Sequence, residues 1–172
     1  MKALIIVDYQ VDFVSGTLGF EGAELPEPLI VEKINNFHQN GDQVIFTFDT
    51  HHENYLETAE GKKLPVPHCI ENTDGHKLYG KVADAVCKGD IIVKKPTFGS
   101  LDLAALLREY DFEEVELCGL VTDICVVSNA IIAKTALPDA EIIVDSKACA
   151  SFDKSAHEAA LKVMKSVQIN VI

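Results

Sequence analysis

The sequence lacks the features that mark membrane, secreted or nucleic-acid-binding proteins. No stretch approaches the roughly 20 consecutive apolar residues that a membrane-spanning helix needs. The apolar run after Met1-Lys2 is too short for a signal peptide and ends at Asp8. Basic residues are scarce, with 15 Lys and Arg against 27 Asp and Glu, for a net charge of −12. We therefore expect a soluble, cytoplasmic protein with no membrane partner and no nucleic-acid partner, because an acidic chain repels phosphate backbones.

Two further absences concern redox and cofactor motifs. The five cysteines form no C-x-x-C pair, and their odd number favours free thiols in a reducing compartment. No G-x-G-x-x-G follows the first apolar run, where Asp8-Tyr9-Gln10 stands instead. This argues against the one alternative from another functional class, a non-catalytic binding or redox domain of the flavodoxin or Rossmann type.

What the chain does contain is an alternation of apolar runs with amphipathic segments. Its 172 residues, 48% of them hydrophobic, predict one domain spanning residues 1–172. Continuous runs of Val, Ile and Leu are typical of strands buried on both faces of a parallel sheet. The predicted strands are 3–7, 43–48, 91–93, 115–118, 141–144 and 168–172, and the predicted helices are 28–40, 101–109, 123–137 and 153–167. The pattern predicts a three-layer α/β/α, doubly wound domain with a mostly parallel sheet of about six strands.

Polar residues follow four of these strands, where ligands bind in open α/β sheets. They are Asp8 after the first strand, Asp49 and His51 after the second, Lys94 after the third, and Thr122, Asp123 and Cys125 after the fourth. Because parallel strands share a carboxyl edge, we expect these side chains to converge on one rim.

Three of these residues predict a cysteine nucleophile with its assistants. Cys125 is placed in the first turn of a helix, where free N–H groups and the helix dipole stabilise a thiolate and can hold an oxyanion. Asp8 can take the thiol proton and later protonate a leaving amine. Lys94 supplies a cation that keeps Asp8 ionised and lowers the thiol pKa.

The motifs around these residues resemble the isochorismatase-like cysteine hydrolases, and within them the nicotinamidases, also called pyrazinamidases. The resemblance runs from Ala-Leu-Ile-Ile-Val-Asp8 through Val-Lys94-Lys-Pro-Thr-Phe98 to Gly119-Leu-Val-Thr-Asp-Ile-Cys125. It implies that Asp8, Lys94 and Cys125 are catalytic and that Phe13 is an aromatic wall of the substrate site. It also implies that Val121 and Thr122 border the oxyanion position, and that the Val121–Thr122 peptide bond is cis.

The same resemblance implies one divalent metal ion, with zinc favoured over manganese or iron. Asp49, His51 and His68 match the family's ligand positions, and carboxylate with neutral imidazole suits these metals. The fourth ligand is predicted to be Glu60, with Glu57 and Glu53 as alternatives. Family members carry Trp between the Asp and the first His, whereas this chain has Thr50 there and no Trp anywhere.

The predicted function is metal-dependent hydrolysis of nicotinamide, or a related heteroaromatic carboxamide, through a thioester on Cys125. The expected partner is a small amide, and a homo-oligomer is compatible with the resemblance because many members self-associate. The alternative within the family is a carbamoyl amidase or isochorismatase-type hydrolase that does not use metal to bind its substrate. His38, His76 and His157 are interpreted as surface residues.

Overall fold

A six-stranded parallel sheet forms the centre of the molecule. The computed structural model describes all 172 residues. The strands are β1 (Lys2–Val7), β2 (Gln43–Asp49), β3 (Ile91–Lys95), β4 (Glu114–Leu120), β5 (Glu141–Ala150) and β6 (Asn170–Val171). Their order across the sheet is β3-β2-β1-β4-β5-β6, and every pair is parallel. The predicted α/β fold with a six-stranded sheet is confirmed.

Strand β1 lies in the middle of the sheet, between β2 and β4. Ala3–Val7 are completely buried, which explains why this strand is apolar on both faces rather than alternating. Because all six strands run the same way, the residues that follow β1, β2, β3 and β4 meet at one edge of the sheet. The site described below is built on this edge.

Six α-helices cover the two faces of the sheet. They are α1 (Val11–Val14), α2 (Glu27–Asn40), α3 (Gly80–Asp84), α4 (Leu101–Tyr110), α5 (Val127–Ala136) and α6 (Lys154–Ser166). Helix α2 packs with α3, while α5 packs against both α4 and α6. This division agrees with right-handed crossovers that step outward from β1 in both directions. None of the helices has the length and apolar character that crossing a bilayer demands.

The helix ends follow the chemistry of the sequence. Gly41 adopts φ +73° after α2, which is the left-handed conformation that ends many helices. The Ser100 hydroxyl accepts a hydrogen bond from the Leu103 N–H and caps α4. The Asp153 carboxylate accepts from the N–H groups of Ser155 and Ala156 and caps α6. Four predicted helices thus occur within a few residues of their predicted bounds, whereas the short helices α1 and α3 were not predicted.

Residues 50–76 form a long connection after β2. It contains two single turns of 3₁₀ helix, Tyr55–Glu57 and Asp74–His76. Its two limbs are tied together beside the sheet, because the His51 N–H donates to the Cys69 carbonyl at 3.0 Å and the Glu71 N–H donates to the His51 carbonyl at 2.8 Å. The connection is therefore an ordered loop whose middle returns to the carboxyl end of β2.

Candidate active site

A buried ammonium, that of Lys95, forms the centre of the site. Its Nζ lies 2.6 Å from Asp8 Oδ2, 3.6 Å from Cys125 Sγ and 3.4 Å from Asp49 Oδ1. Asp8 and Lys95 are fully shielded from solvent, and Cys125 is 5% exposed. The sheet topology therefore brings together three groups at strand ends: the Asp8 carboxylate after β1, Lys95 at the end of β3 and Cys125 after β4.

The prediction that Lys94 occupies this position is wrong. The Lys94 side chain is exposed and pairs with Glu71 at 2.6 Å on the surface. Alternation along β3 is the reason: Val93 and Lys95 point inward, while Ile92 and Lys94 point outward. The strand also runs two residues further than predicted, so the residue at its end that faces the site is Lys95.

Asp8 has an unusual backbone conformation and is bound by Thr47 of the neighbouring strand β2. It has φ +46°, in the left-handed region that non-glycine residues seldom occupy. Its N–H donates to the Thr47 carbonyl, and the Thr47 hydroxyl donates to Asp8 Oδ1 at 2.6 Å. Burial raises the pKa of the Asp8 carboxyl, although the Lys95 ammonium acts in the opposite direction. A carboxyl of this kind is suited to accept a proton and return it.

Cys125 lies in a turn that differs from the predicted α-helical start. Residues Thr122–Val126 form one π-helical turn, and the regular helix α5 begins only at Val127. Burial raises the pKa of the Cys125 thiol well above its usual value, the Asp8 carboxylate raises it further, and Lys95 opposes both. Burial and Asp8 thus act against the expected resting thiolate, and Lys95 acts in its favour.

Strand β4 ends beside β1 in a tight approach. Gly119 has φ +117°, and a Cβ atom there would overlap the Val7 carbonyl oxygen, so glycine is required at this point. The chain then passes through a cis peptide bond between Leu120 and Val121. The prediction of a cis bond between Val121 and Thr122 is wrong by one residue, because the bond precedes Val121.

Three buried side chains cluster on the other side of Lys95. Asp49, His51 and His68 place one potential ligand atom each within 4.8 Å of one another. The Nε2 atoms of His51 and His68 lie 3.0 and 3.3 Å from Asp49 Oδ2. Burial alone would raise the pKa of Asp49, but hydrogen bonds from the two histidines hold it well below the usual range. The predicted trio is thus brought together around a common point.

The chemistry of these donors fits a divalent metal ion. The His68 Nδ1 lies 2.8 Å from the Val66 carbonyl oxygen, an arrangement that fixes the ring with Nε2 facing the cluster, where a metal ion can take the place of the Nε2 proton. Glu60 Oε1 lies 3.6 Å from both histidine Nε2 atoms. Glu53 and Glu57 are exposed, so Glu60 is the glutamate of the loop that the structure brings to this cluster.

An apolar cavity of about 380 Å³ opens next to these groups. Phe13 forms one wall and makes an edge-to-face contact with the His68 ring, with 5.6 Å between ring centroids. Val121 and Ile124, from the turn that carries Cys125, form another wall, and Leu64 closes the side of the loop. The cavity is therefore lined by Phe13, which contacts His68, and by residues of the turn that carries Cys125, and its apolar walls suit a flat ring.

Several residues at the site were not predicted from the sequence. Thr47 binds Asp8, and His157 on α6 contacts the hydroxyl of buried Thr122, with 2.9 Å between His157 Nδ1 and Thr122 Oγ1. His76 Nε2 likewise lies 2.8 Å from the Thr50 hydroxyl. Both histidines are half-buried rather than surface residues. Strand β2 is buried without a break from Val44 to Thr47, so a hydroxyl residue within this apolar run is the sequence signal that could have indicated Thr47.

Comparisons with known proteins agree with this arrangement. A family model described as the isochorismatase domain matches residues 2–172. An isochorismatase-family protein of Bacillus subtilis (strain 168), PncA, is 36% identical over 172 residues, covering 93% of this chain and 92% of that relative. The crystal structure of the nicotinamidase PncA from Bacillus subtilis superposes with a TM-score of 0.88 at 34% identity, covering 99% of this chain and 98% of the other. The structure of a Pyrococcus horikoshii pyrazinamidase in complex with zinc gives a TM-score of 0.86 at 27% identity, with the same coverage of 99% and 98%.

Proposed function

The chain belongs to the isochorismatase family, and we propose that it is a cysteine amidohydrolase that converts nicotinamide, or a related heteroaromatic carboxamide, to the acid and ammonia. The observation that carries the proposal is the buried Lys95 ammonium, which contacts Asp8, Cys125 and Asp49 at once. One cation thereby joins a nucleophile and its base to a potential metal site, beside an apolar cavity. The family match decides against a non-catalytic flavodoxin-type or Rossmann-type domain.

The first half of the reaction transfers the acyl group to sulfur. As the Cys125 sulfur attacks the amide carbon, its proton passes to the Asp8 carboxylate, and the carbonyl becomes an oxyanion. Backbone N–H groups of the turn from Val121 to Cys125 are the proposed oxyanion donors. Asp8 then protonates the amide nitrogen, the carbon–nitrogen bond breaks, and ammonia leaves a thioester on Cys125.

The second half returns the enzyme to its starting state. A water molecule gives one proton to Asp8 and attacks the thioester carbonyl, and the carbon–sulfur bond breaks. The sulfur recovers its proton from Asp8, and the carboxylic acid is released. Asp8 thus alternates between base and acid, which matches a carboxyl whose pKa burial has raised.

Lys95 has a separate proposed task from that of Asp8. Its cation, 3.6 Å from Cys125 Sγ, stabilises negative charge on sulfur as the proton leaves. It also favours the ionised form of Asp8 against the effect of burial, since the two groups lie 2.6 Å apart. Both effects favour attack by Cys125 in a site where the Asp8 and Lys95 side chains are shielded from solvent.

The proposed ligands of a divalent metal ion are Asp49, His51 and His68, with Glu60 as the fourth. Zinc is the first candidate for the ion. When bound, the ion would supply a Lewis acid that coordinates the ring nitrogen of the substrate. The chain's own contribution is orientation: Phe13, which lines the cavity, would pack against one side of the ring. Substrates without a suitably placed ring nitrogen should therefore be hydrolysed poorly.

The test is ammonia release from nicotinamide, pyrazinamide and several aliphatic or carbamoyl amides. We expect turnover of the two ring amides, no detectable turnover with Cys125→Ala, and normal turnover with Cys149→Ala, a matched change at another buried free thiol. Full activity in Cys125→Ala would overturn the nucleophile assignment. Preference for carbamoyl amides, with no metal in protein purified without added metal, would favour the alternative hydrolase within the family.

A further inference from the structure

Gln10, three residues after β1, holds the end of strand β2 from which Asp49 projects. It is completely buried. Its Oε1 accepts a hydrogen bond from the Asp49 N–H at 2.8 Å, and its Nε2 donates to the Asp49 carbonyl at 3.0 Å. The same Nε2 donates to the His76 carbonyl at 2.9 Å. The backbone of Asp49 is therefore held on both sides by a single amide.

Asp12 makes the equivalent contact to the other limb of the loop. Its Oδ2 accepts a hydrogen bond at 2.7 Å from the N–H of Cys69, the residue directly after His68. Its other oxygen accepts from the Thr17 N–H. Gly16 and Gly75 both lie against this carboxylate, and a Cβ atom at either position would overlap it. Such close packing on three sides fixes the carboxylate and, through it, the backbone at His68.

We infer that Gln10 and Asp12 are positioning residues that preorganise the two halves of the metal-ligand set, Gln10 through Asp49 and Asp12 through His68. The inference rests on the proposed metal site. Asp49 ends β2, whereas His68 lies on the returning limb of the loop of residues 50–76. The backbone hydrogen bonds of His51 with Cys69 and Glu71 join the two limbs to each other but not to the segment after β1. Gln10 and Asp12 lie two residues apart in the short segment after β1. They therefore fix the backbone at Asp49 and at His68 relative to the same part of the chain.

The energetic reason is that a ligand set held in place loses little conformational freedom when it binds a metal ion. Residues outside the ligand shell that orient the ligands typically change metal affinity by about 10- to 100-fold when replaced. Gln10 and Asp12 act on backbone groups rather than on ligand atoms, so we expect the lower end of that range, about tenfold.

The experiment titrates Zn²⁺ into chelator-treated full-length protein and measures the dissociation constant by competition with a chromogenic chelator. Gln10→Leu removes three hydrogen bonds at nearly constant volume, and Asp12→Asn keeps the shape while leaving one oxygen acceptor. The matched controls are Gln43→Leu and Asp42→Asn. Gln43 donates to two backbone carbonyls, and Asp42 accepts from the Lys2 N–H, both at the opposite edge of the sheet.

Stability is measured separately so that a general loss of structure is not mistaken for lost positioning. Asp153→Ala removes the cap of α6 and should lower the melting temperature of the metal-free protein without changing Zn²⁺ affinity. Gln10→Leu and Asp12→Asn should weaken Zn²⁺ binding about tenfold, including in samples kept well below their melting temperatures. They should also alter the visible absorption of the Co²⁺-substituted protein, which reports ligand geometry. Should Gln10→Leu fail to fold, Asp12→Asn alone decides the test.

Wild-type Zn²⁺ affinity in both Gln10→Leu and Asp12→Asn would overturn this inference but not the proposed metal site. An equal loss of Zn²⁺ affinity in the Gln43 and Asp42 controls would do the same. If the wild-type protein binds Zn²⁺ no better than Asp49→Ala does, the metal site of the proposed function is wrong and the inference is lost with it. The two failures are therefore distinguishable within one set of titrations.

Discussion

The Lys95 ammonium and the Asp8 carboxylate form an ion pair of 2.6 Å in which neither side chain is exposed to solvent. Removing two charges from water is costly, and such a pair is weak evidence for added stability. Its position next to the Cys125 thiol instead indicates a catalytic use. Burial raises the pKa of the Asp8 carboxyl, and the Lys95 ammonium acts against it by favouring the ionised form.

Replacing Lys95 should therefore remove most of the activity. In Lys95→Met we expect kcat/KM to fall by a factor on the order of 100 to 1,000, the range for removing one electrostatic stabiliser of developing charge. The variant also leaves Asp8 buried without its partner, so the free energy of unfolding should fall, by at most about 3–5 kcal/mol. Steady-state ammonia release and chemical denaturation measure the two effects.

Lys94→Met is the matched control for that experiment. It removes a neighbouring lysine of the same strand whose contact is an exposed pair with Glu71. Exposed pairs are worth about 0–1 kcal/mol, so activity and stability should stay close to wild type. A large loss in Lys94→Met together with an active Lys95→Met would reverse the assignment.

The acid limb of the pH profile should report Asp8. Because Asp8 must be ionised to accept the thiol proton, kcat/KM should fall as the pH drops through its pKa, which burial places above the usual aspartate value. The Thr47 hydroxyl lowers that pKa by donating a hydrogen bond to the carboxylate. Thr47→Val should therefore move the acid limb to higher pH. An acid limb that stays in place, or moves to lower pH, would exclude Asp8 as its source.

Phe13→Leu should weaken substrate binding more than it slows the chemistry. The change keeps an apolar side chain but removes the aromatic face beside the cavity. Aromatic pairs contribute about 0.5–1.5 kcal/mol beyond their buried area, so KM for nicotinamide should rise by up to about tenfold with kcat little changed. Phe112→Leu, at a buried aromatic that stacks on Tyr110, is the control and should leave KM unchanged.

A stability prediction concerns Lys33, which has no proposed role in the chemistry at Cys125. Its ammonium lies 2.6 Å from Glu116 and 2.7 Å from Asp145, and all three side chains are largely buried. Lys33→Met leaves two buried carboxylates without their cation and should cost about 3–5 kcal/mol of unfolding free energy. Chemical denaturation at neutral pH measures the loss, and kcat/KM of the folded variant should be unchanged.

The loss of unfolding free energy in Lys33→Met should depend on pH. Burial lowers the pKa of Lys33, but hydrogen bonds to Asp145 and Glu116 outweigh it and raise the pKa above the usual lysine value. The stabilisation is therefore fully present below the pKa of lysine in the unfolded chain and is lost as the pH rises through the higher folded value. On the alkaline side of neutrality, the difference in unfolding free energy between wild type and Lys33→Met should shrink only as the pH rises through that folded value.

The fold could be predicted because its signals are local and repeated. Apolar runs such as Ala3–Val7 and a helix stop such as Gly41 each indicate one element, and their alternation indicates a parallel sheet. The topology then predicts which strand ends meet. The topology predicts that Asp8, Asp49, His51 and Cys125 meet at one edge, as the structure has them.

The choice between Lys94 and Lys95 needed information that a strand end alone does not contain. β3 is an edge strand with one exposed face, so its side chains alternate, and its inward set is Val93 and Lys95. The pairing of Asp49 with Lys95 across β2 and β3 could have indicated the correct residue. An error of one position along a strand reverses the direction of a side chain.

The contacts of Gln10, Asp12 and His157 could not be predicted, because their partners lie far away in the sequence. Asp12 binds the N–H of Cys69, and His157 contacts Thr122 from another helix. Backbone N–H groups exist at every non-proline residue, so the sequence does not indicate which of them a polar side chain will reach. The π-helical turn at Thr122–Val126 differs from a regular helix start by one residue in its hydrogen-bond spacing, which the residue types there do not indicate.

The residues proposed to cleave the amide and those proposed to select the substrate lie on different parts of the structure. Asp8, Lys95 and Cys125 stand on strand ends of the sheet, whereas His51, Glu60 and His68 belong to the loop of residues 50–76. The loop has its own internal hydrogen bonds and joins the scaffold through a few backbone contacts. Insertion, deletion or exchange within it can therefore alter which amide is accepted while the cleavage chemistry persists, which gives such a scaffold a simple route to new substrates.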